Sequence, residues 1–200
     1  MNDVAHRDLV GARMGMWLFL FSELLLFGGL FILYAVNLSR YPEEFVQAAK
    51  DLDLVLGTAN TLILITSSLT AAMALTALQL ARRRLCLGLL TFTVVAAAVF
   101  LVNKGFEWRA KYSHGLFPGT EPFQELSHGK NIFYGLYYLT TGLHGLHVVV
   151  GGALLIWSWG LLWKNRMSRD NSIVLENCAL YWHLVDLVWI FIFPLYYLLL

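Results

Sequence analysis

WLFLFSELLLFGGLFILYAV, residues 17 to 36, is an apolar run with one carboxylate, Glu23, near its middle. About 20 such residues cross the roughly 30 Å of bilayer hydrocarbon. A chain in that medium must satisfy its backbone internally, so the run reads as a helix. Four more runs follow the same logic. The spacing of apolar and polar segments predicts spans at about 14–36, 57–80, 85–107, 132–163 and 178–200. They do not alternate, which argues against a barrel. The expected fold is all-α: one integral membrane domain of five transmembrane helices.

Composition agrees. The 200 residues are 58% hydrophobic and 14% charged, with a mean hydropathy of +0.64. A water-soluble domain of this size cannot bury that much apolar surface. The net charge of +1 gives nucleic acid no electrostatic footprint. Cys86 and Cys178 stand far apart, with no CxxC spacing, so neither a disulfide framework nor covalent haem attachment is indicated. The first residues, MNDVAHRDLVGARMG, carry acids and lack a small-residue cleavage site, which argues against a signal peptide.

Orientation follows from Lys and Arg in the connections. Arg7, Arg13, Arg82, Arg83, Arg84, Lys164, Arg166 and Arg169 fall on one side, against Arg40, Lys50, Arg109, Lys111 and Lys130 on the other. Eight against five places the N-terminus in the cytoplasm and the C-terminus outside. The third connection, about 108 to 130, contains LFPGTEPF and should be an ordered outer loop or a short surface helix. Trp17, Tyr34, Trp108, Tyr112, Trp157, Trp159, Trp163, Tyr196 and Tyr197 read mostly as interfacial anchors.

Ionisable groups inside a span cost at least ~2.5 kcal/mol on insertion scales, so each needs a reason. Glu23 is either a carboxyl hydrogen-bonded to a neighbouring helix or part of a proton relay. His144 and His147, three apart, share a helix face beside Gly142, Gly145, Gly151 and Gly152. They serve as helix-to-helix hydrogen bonds or as ligands. With no carboxylate-rich or cysteine-rich shell around them, no metal site is expected in this chain. Glu176, His183 and Asp186 form one stripe, and His183 and Asp186 are spaced to pair directly or to reach a second helix. Glu107 and Lys104 read as an ion pair at the outer interface. Asn60 reads as a buried amide bonding across helices, with Thr61, Thr66, Ser67, Ser68 and Thr70 as weaker glue.

Five stretches, in order, resemble subunit III of the haem-copper terminal oxidases: WLFLFSELLLFGGLF, ANTLILITSSLT, FLVNKGFEW, TGLHGLHVVVGG and ENCALYWHLVDLVWIFIF. The resemblance covers all five spans. It implies a subunit without haem or copper, which reside in partner subunits, flanking the catalytic subunit I among the other oxidase subunits. It places Glu23 at the family's membrane-embedded glutamate, associated with lipid contact and passage toward subunit I. Asn60, Glu107, His144, His147, Glu176, His183 and Asp186 then fall among polar positions that tie helices together and help hold phospholipid in a cleft. Seven-span members carry two further N-terminal helices. The likeness here begins at what looks like their third helix, so a cleft would be closed by another subunit or by lipid. The stretch KGFEWRAKYSHGLFPG is most similar to the cytochrome c oxidase branch, although five-span forms also accompany quinol oxidases and nitric oxide reductases. A bacterial inner-membrane location is implied. A small haem protein using His183 with His144 or His147, and a small transporter lined by Glu23, are the competing readings.

Overall fold

The computed structural model describes residues 9–113, 115–120, 123, 125–168 and 171–198. Arg7, Glu121, Arg169 and the last two residues of the fifth expected span lie outside the described residues. The helices are α1 Leu9–Arg40, α2 Pro42–Ala49, α3 Leu54–Gln79, α4 Arg83–Ser113, α5 His128–Trp163 and α6 Ile173–Phe193, which runs on into a π-helical turn, Pro194–Leu198. Five of them, all but α2, are long and apolar enough to cross a membrane.

All five spans extend past the apolar runs that announced them. The largest difference is in α4, which continues beyond Glu107 to Ser113. Its last turn is held because Lys111 donates to the backbone carbonyl of Asp51, 2.9 Å away. Helix α2 was not foreseen, although its start signals are ordinary: a proline at the first position and Glu43 and Glu44 in the first turn. It buries Phe45 and Ala48. Glu44 then accepts from Ser127 at 2.9 Å, over Gly129, where a Cβ would collide with the Glu44 carboxylate and Tyr41.

Helices α3, α4, α5 and α6 form a ring in which each packs on the next and α6 closes on α3. Helix α1 stands outside the ring, against α5 and α6. It is apolar all round, so its sequence shows no stripe. The structure selects one: Met16, Leu20, Glu23, Phe27, Leu30 and Tyr34 are its inward positions, spaced alternately four and three apart. That is the seam of a helix touching its neighbours along a single line. Trp17, Leu18, Phe21, Leu25 and Ile32 are left exposed on its outer faces.

Two helices end alike. Ala81 and Asn165 adopt left-handed backbone, φ 57° and 54°. The next residues close the caps: Arg82 N–H donates to Ala77 O at 2.8 Å and Arg166 N–H to Leu161 O at 2.9 Å. Arg83 links the two ends, donating from Nε to Leu162 O and from its terminal nitrogen to Trp163 O, 3.1 and 2.7 Å away.

Aromatic placement partly overturns the interfacial expectation. Trp17, Tyr112, Trp157 and Trp163 are exposed, as anchors should be, but Tyr34, Tyr196 and Tyr197 are core residues. Tyr34 donates to Leu195 O at 2.6 Å and meets Phe45 and Tyr196 edge-on, fixing the C-terminal end of α1. In the third connection, Thr120 donates to the carbonyls of Gly115 and Phe117, an ordered turn.

Candidate functional site

The polar residues inside the oil separate into three groups at different depths. The first lies toward the end of the bundle where α4 finishes. Lys104 and Glu107 pair at 2.9 Å, but not at the interface as their spacing suggested; both are buried. The Lys104 ammonium spends all three N–H groups, on Glu107 Oε2 and on the hydroxyls of Tyr137 and Tyr197. Both tyrosines in turn donate to Glu107 Oε1 at 2.7 Å. The Nζ also sits 5.0 Å from the Tyr137 ring and 5.3 Å from that of Trp189. Tyr197 reaches the pair because the π-helical turn re-aims it and because residue 57 is glycine; a Cβ there would come within 2.8 Å of its ring. The two tyrosines convert an interfacial ion pair into a caged one. A cavity of about 480 Å³ lies above it, lined by Asp51, Asp53, Glu107 and Lys111.

The second group joins α1 to α5. Glu23 Oε2 lies 2.9 Å from His147 Nε2, and the two side chains are 15% and 12% exposed. His147 Nδ1 is 2.7 Å from the carbonyl of Leu143. A carbonyl can only accept, so Nδ1 carries a hydrogen. The bond to Glu23 therefore contains one proton, resting either on the carboxyl or on Nε2. In both forms the pair is neutral overall, which makes it tolerable in hydrocarbon. Phe27 and Tyr181 cover the imidazole. Glu23 is thus bonded across helices, and the sequence did not reveal that His147 is the partner.

The third group lies between α6 and α3. His183 and Asp186 do not pair. His183 turns its Nδ1 across to Ser68 Oγ, 2.7 Å away on α3. Both Asp186 oxygens lack a hydrogen-bond partner, although the residue is only 3% exposed. The small polar residues of α3 do act as glue: Trp182 donates to Ser67, Trp189 to Thr61, and Thr70 meets Thr93 of α4. Asn60 accepts from Asn103 at 2.9 Å, tying α3 to α4 as expected. Thr66 bonds only within its own helix.

His144 is buried and donates from Nε2 to Val185 O at 3.1 Å. The three intramembrane imidazoles therefore address three different helices: His147 reaches α1, His144 reaches α6 and His183 reaches α3. Glu176, near the opposite end of the bundle from the caged pair, takes Arg13 at 2.8 Å and Ser172 at 2.7 Å, a second tie to α1. No group of three or more His, Cys, Asp or Glu able to hold a metal occurs among the described residues. Of the packing glycines, Gly151 lies under Trp182 and Gly142 under Trp108, while Gly145 and Gly152 face open space.

Along the α1–α6 junction two adjoining hollows, of about 380 and 140 Å³, share Leu24 and Leu187. Their walls run from Trp17 to Phe31 on α1 and from Leu180 to Phe191 on α6, with His183 the single ionisable group.

The family model described as cytochrome c oxidase subunit III matches residues 4–199. The cytochrome c oxidase subunit 3 of Thermostichus vulcanus is 31% identical over 201 residues, covering 98% of this chain and 92% of that protein. That of a Synechocystis strain is 34% identical, covering 97% and 77%, and that of Rhipicephalus sanguineus is 30% identical, covering 96% and 72%. With all five spans inside the match, this chain belongs to the cytochrome c oxidase subunit III family.

Proposed function

We propose that the chain works as a subunit without a redox centre in a proton-pumping cytochrome c oxidase, packed directly against subunit I and beside the other oxidase subunits. Haem and copper belong to those partners. The observation that carries this reading is the use of the imidazoles. His147 has both ring nitrogens engaged by protein, and His144 and His183 each spend one on a different helix. Three imidazoles spread in this way act as ties between helices, which disfavours a haem protein built on them.

Glu23 is the functional carboxyl in this reading. Its pair with His147 holds one movable proton at the edge of α1, beside the hollows that run along α6. Those hollows extend over about 20 Å, taken as fourteen residues of helical rise, which suits a phospholipid acyl chain. The pair and the lipid together support the proton and oxygen supply of subunit I. The eight-to-five distribution of Lys and Arg supports an N-terminus in the cytoplasm, and the likeness to the Thermostichus and Synechocystis proteins favours a bacterial inner membrane as the setting.

The test is purification in mild detergent through an affinity tag on this chain. A much larger haem-copper subunit should co-purify in equal amount. Recovery of this chain without one would contradict the proposal.

A further inference from the structure

The end of the bundle where α3 and α5 finish carries charge that no acid among the described residues pairs with. Arg82 lies in the α3–α4 turn and Arg84 in the first turn of α4, on either side of Arg83; Lys164 and Arg166 follow Trp163 at the end of α5. All four are exposed, and none has an ion-pair partner among the described residues. The nearby acid Glu176 is taken by Arg13. Arg83 brings the two segments together by bonding the carbonyls of Leu162 and Trp163.

Cations at helix C-termini commonly serve to neutralise the last carbonyls and the helix dipole. Here that work is done by other groups. The caps satisfy Ala77 and Leu78 on α3 and Leu161 and Leu162 on α5 through backbone N–H donors, and Arg83 covers Trp163. Among the described residues the four remaining side chains have no ion-pair partner, and the caps hold Arg82, Lys164 and Arg166 by their backbone N–H groups. Beside them, Trp159 stacks on Trp163 at 5.3 Å, and Trp157 and Trp163 are more than half exposed. Exposed tryptophans at a span's end mark headgroup depth. A partner at that depth with complementary charge is a lipid.

We propose that Arg82, Arg84, Lys164 and Arg166, with Trp163 as a side wall, form a binding site for the phosphate headgroup of an anionic phospholipid. It is built from elements other than the α1–α6 hollows, and its failure would leave the subunit reading untouched. The charge ties the lipid to the junction of two loops, so bound lipid braces the α3–α4 turn against α5.

The test uses the assembled oxidase in phosphatidylcholine vesicles carrying trace spin-labelled phosphatidylglycerol or, in parallel, trace spin-labelled phosphatidylcholine. The native complex should immobilise the anionic probe in preference to the zwitterionic one. Each cation removed should lower that preference by about fivefold at low salt. Arg82→Gln with Arg166→Gln removes two while leaving Arg83 in place. Lys50→Gln with Arg109→Gln, at the other end of the bundle, should leave it unchanged. Salt near ~1 M, where the Debye length is about 3 Å, should remove the preference from the native complex; that measurement also decides the matter should the double variant not assemble. Equal immobilisation of the two probes, a preference indifferent to salt, or equal loss in both double variants overturns the proposal.

Discussion

Two buried acid–base pairs divide this molecule. Lys104–Glu107 sits inside the four-helix ring with every ammonium proton assigned and both carboxylate oxygens accepting. Glu23–His147 lies on the seam of the outlying helix α1, held by one bond between helices and roofed by two rings. The first pair is over-determined by three helices and the C-terminal turn. The second is held between helices by a single bond. A fully caged pair cannot change partners without disturbing the ring, whereas a pair held by one interhelical bond at the edge can. The two pairs thus differ in how many neighbours hold each of them.

That contrast breaks first at Glu107. Replacing it with alanine strands the Lys104 charge and the two tyrosines, and should cost about 3–5 kcal/mol, read as loss of assembled complex. Lys104→Met combined with Glu107→Leu should restore most of the yield, because removing both charges removes the need for pairing. A double variant as damaged as the single one would mean that the pair does more than satisfy itself.

Packing inside the ring sharpens the comparison next. Gly151→Ala places a Cβ 2.8 Å from the Trp182 ring and should destabilise by about 1–3 kcal/mol. The neighbouring Gly152→Ala meets nothing within 4 Å and should stay within about 0.5 kcal/mol. Thermal unfolding of the two purified complexes compares them directly.

At the edge the effects are smaller in stability and larger in behaviour. Glu23→Gln keeps a donor for His147 Nε2 but removes the movable proton. It should change stability by less than ~1 kcal/mol while lowering the number of turnovers before inactivation. A stability loss as large as that of Glu107→Ala would make the pair structural. The smallest change is expected at Asp186→Asn, within about 0.5 kcal/mol, since the carboxylate has no partner to lose. Failure to assemble would show that the Asp186 carboxylate is needed to hold the bundle or a partner subunit in place.

How much of this was legible in advance depends on distance along the chain. Hydropathy located all five spans because insertion is a property of one segment at a time. It also hid the seam of α1, since a helix apolar on every side shows no stripe until its neighbours choose one. Asn60 and the serines of α3 were readable as glue because a buried amide or hydroxyl in hydrocarbon must find a partner. The depth of Lys104 and Glu107 was not, because the tyrosines that enclose them come from residues 137 and 197. Spacing leaves His183 and Asp186 either to pair or to reach a second helix, and cannot tell that Ser68 of α3 takes the imidazole. His147 as the partner of Glu23 is likewise a fact of tertiary packing.

The central claim is that this chain serves the oxidase without carrying its redox centre. Detergent stripping of this subunit from the purified complex, followed by a visible absorption spectrum of each fraction, tests it most directly. The account predicts that all haem absorbance stays with the remaining complex, which still begins to reduce dioxygen. Haem that travels with this chain, in proportion to it, would contradict the account.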